Sequence, residues 1–367
     1  MAMGEPIFLM ALSLVPGLGP VSIKQLIAYF GTAEAVFKAP KGKLKKVPGI
    51  GETLSNEIWK KETLALAEKK WAEAANGHFR LLFYYEEEYP TLLKEIPDAP
   101  IFLYWKGNAS PQYIRSLAIV GTRQSTDYGN RITEEIVADL LPYQPTVISG
   151  FAYGIDIVAH KAALKHRLPT LAVLGGGLHK IYPAQHQRYV QDLLQNGALV
   201  TEYDPDTTPE AAYFPARNRI VAGMSQAVLV VEAAKEGGAL ITAELANGYH
   251  REVFAVPGNL GNKYSEGCNR LIAENKASIY TGPEDLAQYL GWAQDGKSPA
   301  KRVLPEPLNL SGDEQKVYRV LKDGNETQVD QLAWKSQLTL NELASVLLTM
   351  ELKGLVKAMP GKKYTLC

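Results

Sequence analysis

Only two of the 367 residues are cysteine, Cys268 and Cys367. That count excludes a disulfide framework, and no cysteine spacing suits a metal. A reducing cytoplasm is the expected setting. Net charge is also missing: lysine plus arginine and aspartate plus glutamate both number 39. Global charge therefore cannot draw the chain to a polyanion, and any basic site must be a local patch. No apolar run reaches the length of a membrane span, so no membrane partner is expected. The apolar stretch within Met1–Leu14 lacks a basic flank and reads as the first helix of a domain, not a signal peptide. No metal-ligand cluster is visible, and no resident cofactor is expected. One stretch imitates a nucleotide site. Gly291 to Ser298 fits the Walker A pattern, but it follows helix-like sequence and runs into a proline-rich linker. A phosphate loop must end a strand and open a helix, so ATP binding there is rejected.

What the chain does have is a series of short, β-branched apolar runs ending on glycine or another small residue. Leu117–Val120 precedes Gly121-Thr122-Arg123, and Thr146–Ile148 precedes Ser149-Gly150. Leu171–Leu174 precedes three glycines, Val228–Val231 precedes Glu232-Ala233, and Val253–Val256 precedes Pro257-Gly258. Such runs read as strands buried on both faces of a parallel sheet, with helices between them. The fold class is α/β, with a doubly wound, mostly parallel, Rossmann-like sheet over residues 76–290. Phe79–Tyr85 and Ile101–Trp105 should extend that sheet or cover its edge. Glycines at strand ends let a backbone approach a ligand, and helix N-termini attract phosphate. Several in a row suggest an extended phosphate ligand.

The flanks differ. In residues 1–75, Val15-Pro16-Gly17-Leu18-Gly19 recurs as Val47-Pro48-Gly49-Ile50-Gly51, each between helix-like segments. The pair resembles helix-hairpin-helix motifs, whose glycines offer N–H groups to DNA phosphate. A small helical bundle using the same glycines as tight turns fits equally. Residues 291–310 form a linker rich in proline and glycine. Residues 311–367 read as three helices and a hairpin, a winged helix, with Thr327 expected to cap the second helix. The third helix carries Glu342 and Glu351 and only Lys353 as a base. That is poor equipment for a major groove, so a protein-contact or regulatory role is favoured, with Lys362 and Lys363 on the wing keeping DNA contact open.

Three loops carry chemistry. Gly121-Thr122-Arg123 combines N–H donors, a hydroxyl and a bidentate cation, a phosphate clamp. Ser149-Gly150 leads through Tyr153 to Asp156 and His160, which share a helix face; a helix cap and a satisfied histidine explain them better than acyl transfer. Phe214 with Arg217, Asn218 and Arg219 provides an aromatic face beside cations, as single-stranded nucleic acid requires. A fourth segment, Glu232 to Thr242 with Gly237-Gly238, is another anion cradle. It is also similar to lysine-decarboxylase-like nucleotide N-glycosidases, which would place Glu232 or Glu244 on a glycosidic bond. That is the enzyme alternative.

Taken in order, the blocks from Tyr89-Pro90 to Gly267–Ile272 resemble the DNA-processing protein A family, also called Smf. They include Val120–Arg123 with Tyr128-Gly129, Ser149–His160, Leu174–Gly177 with Ile181-Tyr182-Pro183, Phe214–Ile220, Val231–Ala243 and Val253–Gly258. The resemblance implies a cytoplasmic protein with no catalytic residues or turnover. It would bind single-stranded DNA, protect incoming strands in natural transformation, load the RecA recombinase, and pair as a homodimer through the Rossmann-like domain. The implied DNA-binding residues are Gly121, Thr122, Arg123, Ser149, Gly150, Tyr153, Phe214, Arg217, Asn218, Arg219, Gly238 and Thr242. Tyr153 and Ala216 stand where members often carry a base, so affinity and its salt dependence should be reduced.

Overall fold

The computed structural model describes residues 4–77, 79–292, 310–323, 327–359 and 363–366. Nearly all of the Walker-like stretch and the linker, Pro360–Lys362 on the wing, and Cys367 lie outside the described residues. The chain divides into two compact units, Met1–Pro299 and Ala300–Cys367.

The first unit is built on a nine-stranded sheet. Its strands are β1 (Arg80–Phe83), β2 (Phe102–Gly107), β3 (Ser116–Val120), β4 (Thr146–Ser149), β5 (Thr170–Val173), β6 (Gly197–Thr201), β7 (Ala227–Val230), β8 (Glu252–Ala255) and β9 (Ser278–Ile279). The order is β1-β2-β6-β5-β4-β3-β7-β8-β9. All five expected runs are strands, and from β6 to β9 every neighbouring pair is parallel. β1 and β2 pair antiparallel with each other and onto β6, so those two aromatic runs do extend the sheet. Every residue of β3, β4, β5, β6 and β7 is buried. This explains runs without alternation: helices cover both faces.

The chain builds outward from β3 through β4 and β5 to β6, then returns to the other side of β3 for β7 and β8. Strand order therefore reverses between β3 and β7. These two pair in register from Leu117 opposite Ala227 to Val120 opposite Val230. A crevice opens beyond the carboxyl ends of strands at such a switch point.

The N-terminal helices share a core with the sheet: Leu9, Leu12, Ile23 and Val36 belong to one buried cluster with Phe83, Phe102 and Tyr104. The two Pro-Gly hairpins are structural copies. Gly17 has φ +77 and Gly49 φ +79, a backbone region that favours glycine. In each, the residue after this glycine donates to the leading valine: Leu18 N to Val15 O and Ile50 N to Val47 O, both 3.1 Å. Helices Pro20–Phe30 and Glu52–Lys60 follow.

The second unit is a winged helix with its own buried cluster of Val317, Leu321, Leu332, Leu343, Leu347 and Met350. Helices Gly312–Asp323, Val329–Ser336 and Leu340–Leu352 surround it. Its sheet joins β10 (Thr327–Gln328), β12 (Lys363–Leu366) and β11 (Val356–Met359) in that order. Thr327 is therefore not a cap, contrary to expectation. It lies in a strand paired with Tyr364, and Gln328 is the residue that precedes the helix. Thr339 caps the third helix in a reciprocal capping box with Glu342. Lys353, which caps the C-terminal end of that helix, donates to the buried carboxylate of Glu314 at 2.7 and 2.9 Å. Among the described residues, no helix is long and apolar enough to cross a membrane, and no cluster of metal ligands occurs.

Candidate nucleic-acid interface

A cleft of about 920 Å³ lies at the switch point. The turn after β3 (Gly121-Thr122-Arg123) forms one wall, and the segment after β7 (Ala233 to Glu244) forms another. Helix Tyr213–Gly223 contributes Phe214, Pro215, Arg217, Asn218 and Val221. Glycine sets the spacing. A Cβ at Gly150 would lie 2.6 Å from Arg217 Nη2 and 2.7 Å from Asp156 Oδ2, and a Cβ at Gly175 would lie 2.8 Å from the Phe214 ring. At Gly154, φ is +74 and a Cβ would collide with the Thr122 carbonyl. Gly238 opens helix Gly238–Gly248, whose N-terminus has no side-chain cap. Its first N–H groups have no partner within a helix, so they are suited to an anion. Thr242 donates to Gly238 O at 3.0 Å and Asn218 Nδ2 to the same oxygen at 3.1 Å, which fixes that turn beside the cleft.

At the mouth, the Arg123 guanidinium lies 5.3 Å from the centre of the Phe214 ring. Tyr182 also packs on Phe214, with ring centres 5.4 Å apart. Arg123 is exposed and makes no ion pair among the described residues. A narrower recess joins Arg123, Gly150, Tyr153, Tyr182 and Phe214. There the Tyr153 hydroxyl donates to Gln185 Oε1 at 2.6 Å. In the sequence Tyr182 belongs to the Ile181-Tyr182-Pro183 block but is not among the implied DNA-binding residues; an aromatic before a proline, downstream of the β5 glycines, is the available signal.

Below lies a buried charged floor. Arg217 Nη1 donates to the carbonyls of Gly150 and Val173, at the ends of β4 and β5. Burial pushes its guanidinium down to about 10, opposed by the nearby Asp156 carboxylate, so it remains charged at neutral pH. Burial raises the Asp156 carboxyl, while Arg217 and the Ala152 N–H pull it down. His160 meets Thr170 Oγ1 at 2.7 Å through Nδ1, and burial pushes it down to about 3, keeping it neutral. Its Nε2 has no hydrogen-bond partner among the described residues, so within them this histidine is only half satisfied.

The structure gathers Gly121, Thr122, Arg123, Gly150, Phe214, Arg217, Asn218, Gly238 and Thr242 around the cleft and Tyr153 at its side recess. It does not bring Ser149 or Arg219 there. Ser149 is buried, and its Oγ donates to Ile119 O at 2.6 Å, tying β4 to β3. Arg219 faces away: it donates to Asp98 O at 2.9 Å and pairs with Glu202. Residues two apart on a helix point about 200° from each other, so Arg217 and Arg219 cannot share a groove.

Glu232 is likewise committed. Its carboxylate is buried and accepts from Thr126 N at 2.9 Å and Thr126 Oγ1 at 2.5 Å. A Cβ on Gly129 would overlap it, which accounts for the Tyr128-Gly129 block. Glu232 thus anchors helix Asp127–Asp139 and does not face the cleft as a glycosidase acid would; Glu244 does line it.

Residues 80–291 match the family model for DNA recombination-mediator protein A, and residues 299–362 match the DprA winged helix domain. The chain belongs to this family. Protein Smf of Synechocystis sp. is 33% identical over 396 residues, covering 99% of each chain. Protein Smf of Escherichia coli is 40% identical over 298 residues, 79% of this chain and 78% of its own. The X-ray structure of DNA processing protein A from Streptococcus pneumoniae matches with a TM-score of 0.67 at 31% identity, covering 78% of this chain and 98% of that one. The Helicobacter pylori DNA processing protein A was solved to explain its single-stranded DNA binding mode. It matches with a TM-score of 0.51 at 29% identity, over 58% of this chain and 96% of that one. The family match spans the whole switch-point cleft.

Proposed function

We propose that this family member binds single-stranded DNA across the switch-point cleft, without catalytic turnover. The observation that carries the reading is the exposed Arg123 guanidinium, without an ion pair among the described residues, set beside Phe214 at a cleft lined by Gly121, Gly150, Gly237 and Gly238. Phosphate would lie on Arg123 and the N–H groups of the Gly121 and Gly238 turns, while a base stacks on Phe214 or Tyr182. Bases stacked and paired within a duplex cannot offer those faces, so the single strand is favoured. Arg217 would act from below as a buried positive charge, with Asn218 shaping the rim. The reading extends to protection of incoming strands in natural transformation, loading of RecA, pairing as a homodimer through the sheet-bearing unit, and a cytoplasmic location. The committed Glu232 gives the N-glycosidase reading no support.

Fluorescence anisotropy with labelled oligo-dT and an equal-length duplex, across a salt series, tests the central claim. Arg123→Ala removes a charge-assisted contact of roughly 1.5–3 kcal/mol, a loss of about 10- to 150-fold on the single strand. Equal loss on the duplex, or none on either, would remove the cleft from the account.

A further inference from the structure

The chain has no net charge, yet one exposed groove collects cations that make no ion pair among the described residues. Helix Ile155–Lys165 starts at the cleft, where Asp156 lies in the floor, and ends about 15 Å further on. Helix Val190–Asn196 runs beside it. Between them is an open groove of about 640 Å³, lined by Lys161, Lys165, Arg167 and Tyr189 with a single acid, Asp192. Arg188 is at its edge, its guanidinium 4.7 Å from the Tyr189 ring centre. Lys161, Lys165, Arg167 and Arg188 are all exposed, and none makes an ion pair among the described residues.

Rings connect this groove to the cleft. Tyr182 touches Phe214 at the mouth, and Tyr153 closes the side recess next to both. Tyr153 packs on His186 at 5.2 Å between ring centres, and His186 on Tyr189 at 6.1 Å. His186 is itself buried, so it acts as the wedge that holds Tyr153 and Tyr189 on either side. The exposed rings of Tyr182 and Tyr153 and the half-buried ring of Tyr189 then lie between the cleft and the cations, and rings beside cations hold a single strand without regard to sequence.

We infer that the groove between these two helices is a second binding segment for the same single strand, taking the phosphates that leave the cleft past Tyr153. The inference rests on the single-strand reading of the cleft. At roughly 3.4 Å per stacked nucleotide, the helix length passes about four or five phosphates, enough to occupy all four cations. Duplex DNA would also be attracted by cations, but it gains nothing from the Tyr182, Tyr153 and Tyr189 rings.

The test compares oligo-dT of about six nucleotides, which fills the cleft, with oligo-dT of about 20. Wild-type protein, Lys161→Ala/Lys165→Ala/Arg167→Ala and Arg123→Ala are titrated by anisotropy across a salt series. The triple variant should leave the short strand unchanged and weaken the long one roughly tenfold or more. Its salt slope for the long strand should fall by about 2, at about 0.7 per lost phosphate contact. Arg123→Ala should weaken both lengths. An unchanged long strand in the triple variant overturns the groove while leaving the cleft intact. So do equal losses at both lengths. Absence of any wild-type binding overturns the cleft reading itself. A charge-reversing Lys161→Glu/Lys165→Glu variant, with both positions exposed, should reproduce the length-specific loss; normal long-strand binding there also overturns the groove.

Discussion

Replacing Arg217 with methionine tests whether this arginine is a brace under the cleft. The substitution keeps an unbranched side chain but removes the charge and the donors to Gly150 O and Val173 O. It also strips Asp156 of the cation that offsets its burial. Breaking a buried pair by removing one partner costs about 3–5 kcal/mol, because the remaining charge is left without compensation. Urea unfolding followed by circular dichroism should show a loss of that size. Asp156→Asn in the same chain should restore about 1–3 kcal/mol, since the two sites share one interaction. The pH dependence has a definite sign. Burial holds the folded Asp156 pKa above its unfolded value, and loss of Arg217 raises it further. Such a carboxyl binds its proton more tightly in the folded chain, so stability falls as pH rises through that window. The Arg217→Met variant should therefore recover part of its deficit as pH is lowered toward about 5. A loss under about 1 kcal/mol, or a deficit that grows on acidification, would refute the brace.

Arg219→Gln should cost roughly 2–3 kcal/mol, less than a fully buried pair because both partners keep some water, while single-strand affinity stays within about twofold. Urea unfolding and anisotropy on one preparation check both halves. In the winged helix, Lys353 and the Ser311 N–H hold the Glu314 carboxyl below its usual range. A depressed folded pKa stabilises above the unfolded value near 4.5 and is lost as pH falls through the folded one. The melting temperature of this unit should drop between about pH 6 and pH 3, and Glu314→Gln should flatten the drop while lowering the neutral-pH value.

Much of the architecture was legible because burial on both faces writes itself as continuous apolar runs. β6 escaped notice because it starts on Gly197, directly after a helix, and its apolar stretch is just Ala198-Leu199-Val200. The switch point was not legible, since strand order is a long-range property that no local window contains. Arg123 and Phe214 were found because strand-end position and residue type agreed. The resemblance carries Arg219 into the groove with its neighbours, whereas helical phase sets Phe214, Arg217 and Asn218 on one side and Arg219 on the other. Ser149 is drawn into the core by the β3 carbonyl it meets, a partner thirty positions away. The glycosidase alternative could name Glu232 because its partner, Thr126, belongs to another strand's loop and no local window shows the contact.

The sheet margins bear on how two copies can meet. One margin is β1, four residues long, and the other is β9, only two residues long. Unpaired margins are where chains polymerise by adding strands, and very short ones offer little template. Continuous intermolecular β-pairing is therefore disfavoured on both sides, and for the proposed homodimer of this unit helix and loop surfaces are the better candidates. Such an interface can close on itself with twofold symmetry, giving a discrete particle instead of a growing fibre.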